Sequence, residues 1–397
     1  MPVQLRALIW ILTVVILAVG CSTDQVVLPQ PPKPKSTFAE LSNKKLRFAT
    51  AIQAPMFVAA SESSMVVHDL MSGRPQFLKA NQTNFPISLK GLDGEQVKGS
   101  RLAFVGYDNH EPDSLLIGTD AEVRKYHPVT MTYGSVVDNF APCPAFNNFY
   151  AQCFSFSVDD EEYVLMPRST PCINQARDGK SYFLSDFGSI QFAQLKNLRT
   201  EETKPVFAIP SDNEIIADKM FYSRTFAAIS SGNRAGEFYA LINPTTQVSR
   251  FKFDRPTKDL ILAGSWMLNL PYFDNTSPQV LNQGWEPIRS AAQTTFRNNP
   301  EVKFFSVHND TAVVYYQPGI PEDEFLDSPF QSSYLLGAVV LSTGESVVYS
   351  VDYNEFIILG ALKNGRIWAY DLRESELDST VVSVVRSVSV GDLFVNQ

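Results

Sequence analysis

A two-stranded unit recurs along the chain and leaves few architectures open. Residues 57–73, FVAASESSMVVHDLMSG, hold two short apolar runs around a polar tip, closed by a step at Asp69. The same order returns in LIGTDAEVRKYHPVT (116–130), FAAISSGNRAGEFYALINPTT (226–246) and FIILGALKNGRIWAYDLRES (356–375), with steps at His127, Asn243 and Asp371. Weaker copies lie at 154–167, 182–195, 260–273 and 304–318. Asn364-Gly365 between two apolar runs is a strong hairpin signal, because both residues accept positive φ. Asp and Asn at the closing step favour Asx turns. These units make seven or eight hairpins at a mean spacing of roughly 43–50 residues, the period of propeller blades.

A lone hairpin cannot bury its apolar face. Radial stacking of blades buries both faces and leaves short edges. The predicted fold is therefore all-β: a single β-propeller of seven or eight four-stranded blades over residues 43–397. A sandwich array or two barrels also accept many strands, but neither explains the recurring punctuation. The two ends of the domain carry alternating segments, KLRFATAI (45–52) and STVVSVVRSVSV (379–390). They are expected to supply strands to one shared or adjacent blade and so latch the ring.

The chain holds 28 Phe and 15 Tyr, which suits half-buried strand faces. Its formal charge is −9 and it has no basic stripe, so nucleic acid is not an expected partner.

The N-terminus carries a second signal. One positive charge, Arg6, precedes the apolar run Ala7–Val19, and Gly20 and Cys21 follow. The run is short for a bilayer span and fits a secretory signal. With a small residue before the cysteine, it resembles a bacterial lipoprotein signal, with Ala18 where leucine is usual. The resemblance implies cleavage after residue 20, lipid on Cys21 and, in a two-membrane cell, an outer-membrane anchor facing the periplasm. Pro29, Pro31, Pro32 and Pro34 follow. Proline fixes φ and removes donors, so residues 21–42 read as a lipidated cysteine and a semi-rigid linker.

The units LKNGRIWAYDL (362–372) and VVLSTGESVVYSVD (339–352) resemble blades of the quinoprotein-like and WD-type propellers. Taken with the lipobox, the chain resembles the propeller lipoprotein of the outer-membrane β-barrel assembly machinery. That resemblance implies a protein-binding scaffold in an envelope complex. The alternative is an exported enzyme acting on a sugar or polysaccharide at the propeller funnel.

No catalytic constellation is legible. The histidines, His68, His110, His127 and His308, are scattered, and no pair has ligand spacing. The loop with Asp108, His110, Glu111 and Asp113 has the composition of a polar turn, so no metal is expected. Of the tryptophans beyond the signal, only Trp368 falls in one of the four clear repeats, and no quinone cofactor is expected. Cys143, Cys153 and Cys172 suit an oxidising compartment with one bridge. Cys143–Cys153 is the favoured pair, with Cys153–Cys172 as its rival. Two segments break the rhythm, 141–153 and 265–289, both rich in aromatics. Aromatics in irregular segments serve as interface anchors. Trp266, Tyr272, Phe273 and Trp285 are therefore the expected anchors for a protein partner.

Overall fold

The structure is a computed structural model that describes residues 35–38, 44–48, 55–60, 64–69, 74–79, 85–86, 102–107, 114–119, 122–127, 130, 132–139, 153–167, 191–213, 220–221, 226–243, 245–273, 279–280, 300–319, 333–361, 365–377 and 383–395. Two short strands, β1 (Lys35–Thr37) and β2 (Lys44–Phe48), join sheets whose other strands come from the far end of the chain. The first antiparallel meander is β3 (Pro55–Ala60), β4 (Ser64–Asp69), β5 (Arg74–Lys79) and β6 (Phe85–Pro86). The second is β7 (Leu102–Tyr107), β8 (Leu115–Thr119), β9 (Glu122–His127) and β10 (Thr132–Asn139). The third is β11 (Phe154–Val158), β12 (Glu161–Pro167), β13 (Gln191–Asn197) and β14 (Thr203–Ala208).

After β15 (Met220–Phe221) comes the fourth meander: β16 (Phe226–Ser231), β17 (Glu237–Asn243), β18 (Gln247–Asp254) and β19 (Asp259–Met267). β20 (Gln279–Val280) returns to pair with β15. The fifth meander is β21 (Glu301–His308), β22 (Thr311–Gln317), β23 (Ser333–Val340) and β24 (Ser346–Asp352), and β1 adds to β24 in parallel as a fifth strand. The last is β25 (Phe356–Ala361), β26 (Arg366–Asp371) and β27 (Ser383–Ser389), completed by β2. Two short helices, α1 (Leu372–Leu377) and α2 (Asp392–Val395), flank β27.

The first strand of each meander lies innermost. β25 packs on β3, β3 on β7, β7 on β11, β16 on β21 and β21 on β25, while β14 and β19 join the third and fourth sheets at their outer strands. The chain is an all-β propeller, with five four-stranded blades and one that carries a fifth strand. The expected count of seven or eight is thus too high, and the reason is specific. The unit at 154–167 and the described end of the unit at 182–195, residues 191–195, share one sheet, β11 to β14, and strands of the units at 226–246 and 260–273, residues 226–231, 237–243 and 260–267, share another, β16 to β19. Inner and outer halves of a blade share the same alternation, so they read as separate blades.

Among the described side chains four blade interfaces are cores. Leu116, Val123 and Val137 of the second sheet meet Val164 and Met166 of the third. Phe156, Tyr163 and Leu195 of the third meet Ile229, Phe238 and Phe251 of the fourth. Leu241 and Val248 of the fourth meet Val307, Val314 and Tyr316 of the fifth. Tyr315, Leu336 and Tyr349 of the fifth meet Ile358, Trp368 and Val385 of the last. Polar bonds tie hairpin tips across these seams. Ser230 Oγ accepts the Val307 amide at 2.9 Å, and Asn233 Nδ2 donates to Asn309 Oδ1 at 2.9 Å. Gly365 is at φ +71°, and a Cβ there would lie 2.4 Å from the His308 ring. The glycine of the Asn-Gly turn is thus needed twice, for its φ and for close approach by the neighbouring blade.

The expected latch is present. β2 runs antiparallel to β27 from Lys44 opposite Ser387 to Phe48 opposite Ser383. The N-terminal engagement starts earlier than the expected boundary at residue 43. β1 and the fully buried Phe38 fall within the segment read as linker.

Candidate interaction surface

The aromatic segment expected to protrude starts as a strand. A turn over Arg255–Lys258 leads into β19, with the Asp254 carboxylate accepting the Thr257 amide at 3.2 Å and its hydroxyl at 2.6 Å. Along β19, Trp266 lies opposite Val248 and Gly264 opposite Arg250. A Cβ on Gly264 would meet the Trp266 ring at 3.2 Å and an Arg250 guanidinium nitrogen at 3.7 Å. The missing side chain therefore lets the indole fold back along its own strand. The Arg250 guanidinium carbon sits 5.3 Å from the indole centroid, and Nη2 donates to the Ala263 carbonyl at 3.3 Å. Such a cation–π contact contributes about 0.5–2 kcal/mol. Tyr239, opposite Arg250 on β17, is 6.3 Å from the indole between centroids, its hydroxyl pKa raised by burial and by the nearby Glu237 charge. Trp266 is half-buried and packs against the core between the fourth and fifth blades. It is a rim residue, with one face in the fold and one at the surface.

Beyond β19 the chain is pinned first to its own blade and then to the fifth. The Leu268 amide donates to Thr246 O at 2.9 Å, the Tyr316 hydroxyl to Pro271 O at 2.8 Å, and the Gly319 amide to Tyr272 O at 2.8 Å. Leu268, Leu270 and Phe273 are buried as a result. Phe273 packs edge to face on Tyr316, 5.1 Å between centroids, and so belongs to the core rather than to an exposed anchor set. Tyr272 is the opposite case. It is 47% exposed and held at φ +55°. A non-glycine residue in this region persists only where its surroundings fix it, here by the bonds on either side. Trp285 lies outside the described residues.

Among the described residues seven large apolar side chains are exposed: Val136, Ile261, Leu262, Met267, Tyr272, Tyr353 and Val395. Four of them fall between residues 261 and 272, on the outer edge of the fourth blade and the pinned segment after it. An outer strand and the segment after it that carry this share of the exposed apolar side chains are a candidate interaction surface.

Three polar clusters among the described residues hold parts of the fold together. Glu161 accepts from Lys258 Nζ at 2.7 and 2.9 Å, from Tyr163 at 2.6 Å and from Asn197 at 2.8 Å. These bonds, the lysine's first, hold its carboxyl down at about 2, and burial together with Glu161 pushes Tyr163 up to about 12. The group clips the third blade to the fourth. At the closing step of the last blade, buried Asp371 caps α1 through the Glu374 amide at 3.0 Å and pairs with Arg386 at 2.5 Å. Glu301 and Lys303 pair at 2.8 Å on the innermost strand of the fifth blade, with the ammonium 5.8 Å from the Tyr334 ring. Among the described residues no three His, Cys, Asp or Glu converge as a metal site. Cys153 is buried, its sulfur 3.7 Å from the Leu116 carbonyl. Cys143, Cys172 and Cys21 lie outside the described residues, as do the side chains of His68 and His110. Neither bridge nor lipid attachment is therefore described.

No protein-family model matches the chain, and no curated protein matches it. Among solved structures it is similar to a member of the DUF4221 family from Bacteroides vulgatus, at 10% identity and a TM-score of 0.54, covering 87% of this chain and 96% of that one. An auxiliary nutrient binding protein from Bacteroides thetaiotaomicron aligns over 87% of this chain and 76% of its own, at 12% identity and a TM-score of 0.37. A luciferin-regenerating enzyme aligns over 90% of this chain and 95% of its own, at 10% identity and a TM-score of 0.40. At these identities only the first likeness bears on the chain, and what it shows is the fold.

Proposed function

We propose that this chain is a lipid-anchored propeller on the periplasmic side of the outer membrane, a docking scaffold for a protein partner within an envelope assembly complex. The anchor reading rests on the signal-like N-terminus ending at Cys21 and the proline-rich stretch after it. The docking reading rests on one observation: among the described residues, four of the seven exposed large apolar side chains lie between residues 261 and 272, on a backbone held by the β18 ladder and, at Pro271 and Tyr272, by bonds from Tyr316 and Gly319. A surface that is apolar and already rigid loses little conformational entropy on binding, which favours recognition.

The test is site-specific photo-crosslinking in the native host, with the probe at Tyr272 and a control probe at the exposed Val136 of the second blade. The reading expects one discrete adduct from position 272 and none from 136. It also expects the adduct to disappear when Cys21→Ser releases the protein from the membrane. Equal labelling from both positions, or none from 272, overturns it.

A further inference from the structure

Three tyrosines run from the core to the surface at one end of the fifth blade. Glu301 opens β21, Gln317 closes β22, Ser333 opens β23 and Asp352 closes β24, so these four positions lie along one end of the sheet. Tyr315 is buried, Tyr334 half-buried and Tyr353 39% exposed. Their ring centroids are 5.4 Å apart at each step, from Tyr315 to Tyr334 and from Tyr334 to Tyr353. Tyr353 sits in a tied turn, where Asp352 Oδ1 accepts the Asn354 amide at 2.9 Å and Asp352 O accepts the Glu355 amide at 3.0 Å. The exposed ring is thus carried on a fixed backbone.

A charge pair lies beside these rings. The ladder between β21 and β22 shifts between Val302 and Phe304, which makes Lys303 the extra residue of a bulge. Bulges re-aim side chains and recur beside functional sites. Here Lys303 Nζ reaches Glu301 at 2.8 Å and the Tyr334 ring at 5.8 Å from its centroid, and both charged side chains keep 14% of their surface exposed. Burial first, then the Glu301 charge, raises the Tyr334 hydroxyl pKa. That hydroxyl therefore keeps its proton at neutral pH, and among the described residues it has no hydrogen-bond partner.

We propose that this end of the fifth blade binds a neutral sugar, stacked on Tyr353 and hydrogen-bonded to Tyr334, Glu301 and Lys303. The ligand class follows from the groups present. The two charges cancel, so an anion meets the Glu301 carboxylate and a cation meets an ammonium already seated at the ring. An apolar ligand strips water from a carboxylate, an ammonium and a phenol without replacing their bonds. A sugar hydroxyl both donates and accepts. It gives a proton to Glu301, takes one from Lys303, and does either at the Tyr334 oxygen. The C–H face of the sugar ring packs on the exposed tyrosine, as apolar surface does on aromatic rings in ligand sites. The site is independent of the docking surface. Phe304 and Tyr315 belong to the core with the last blade, and Tyr334 packs against it, whereas Leu268, Leu270 and Phe273 belong to the core with the fourth.

The experiment is saturation-transfer difference NMR on the full-length protein, with the methyl glycosides of glucose, galactose and mannose and with N-acetylglucosamine, each titrated alone. Transfer to the ring protons of at least one sugar is expected, with a saturable dose dependence. Tyr353→Ala removes the stacking face and is expected to weaken that sugar by about tenfold. Tyr334→Phe keeps the ring and drops the hydroxyl, and is expected to weaken it by about fivefold. Val136→Ala, at an exposed position of the second blade, is expected to bind as the parent does. No transfer to any of the four sugars, or full affinity in both tyrosine variants, overturns the site. Displacement of the sugar by inorganic phosphate or by tetramethylammonium overturns the choice of a neutral ligand. Should Tyr353→Ala fail to fold, Tyr334→Phe decides alone.

Discussion

Phe38 packs edge to face on Phe356, with 5.7 Å between ring centroids. The first comes from the N-terminal segment just after β1 and the second opens the innermost strand of the last blade. Phe38 is fully buried and belongs to the core between the fifth and last blades. The N-terminus is therefore held twice, by this ring and β1 on one blade and by β2 on the next. Phe38→Ala is expected to cost about 3–5 kcal/mol, the range for removing a buried aromatic. Chemical denaturation of the variant and parent checks this; a loss below 1 kcal/mol, as for exposed positions, would contradict it.

The latch gives a stronger effect. β27 stands between β26 and β2, so deleting residues 383–395 leaves the outer side of β26 open and strips β2 of its partner. It also removes Val385, Val388, Val390 and Leu393 from the core and the 2.5 Å bond from the Tyr349 hydroxyl to the Leu393 carbonyl. The truncated protein is expected to melt far below the parent and to aggregate through the opened edge. A truncated protein that melts with the parent refutes ring closure as the source of stability.

Acid sensitivity should trace to the clip between the third and fourth blades. The Glu161 carboxyl falls from an ordinary 4.5 to about 2 in the fold. A depressed carboxyl contributes fully above its unfolded value, and that contribution is lost as pH falls from 4.5 through about 2. Tyr163 has the opposite sign. Raised from 10.0 to about 12, it contributes below pH 10 and loses that contribution as pH rises through about 12. Glu161→Gln should therefore flatten the acid limb of a melting-temperature profile. An acid limb unchanged by the substitution would assign the sensitivity elsewhere.

Asp371 joins three jobs in one carboxylate. It closes the β25–β26 hairpin, caps α1 and pairs with Arg386 of β27. Its side chain is 3% exposed against 26% for Arg386. Asp371→Ala removes the more buried carboxylate of the Arg386 pair and the helix cap, so a loss of about 3 kcal/mol is expected. Arg386→Ala should cost a comparable amount, and the double variant less than the sum, since the two changes remove one interaction. Additive losses in that cycle would show that the pair is not coupled.

The all-β class, the ring and its latch were legible because each rests on alternation, which strands display directly in sequence. The blade number was not. LILAGSWMLNLPYF looks like a degraded hairpin, yet its first eight residues lie in one strand and its last six leave the blade for its neighbour. The same ambiguity governs the candidate surface. Tyr272 and Phe273 are adjacent aromatics in one segment, and one is exposed while the other is core. Which side each takes is decided by bonds from Tyr316 and Gly319, more than forty residues on, and no local pattern announces them. Glu161 and Lys258 are equally silent, since 97 residues separate them. The apolar, uncharged run of β19 was visible, but its meaning depends on knowing that it is an outer strand.

The central claim is that the edge of the fourth blade and Tyr272 hold a protein partner. The most direct measurement is the affinity of the protein captured at Tyr272, once purified, for the parent chain and for a variant with Ile261→Ser and Tyr272→Ala. Both side chains are about half exposed, so the melting temperature should be close to that of the parent. Exposed apolar anchors at an interface centre commonly cost 1 kcal/mol or more each on truncation, so the variant should bind at least about tenfold more weakly. Equal affinity with an unchanged melt would contradict the claim and remove this surface from the interface.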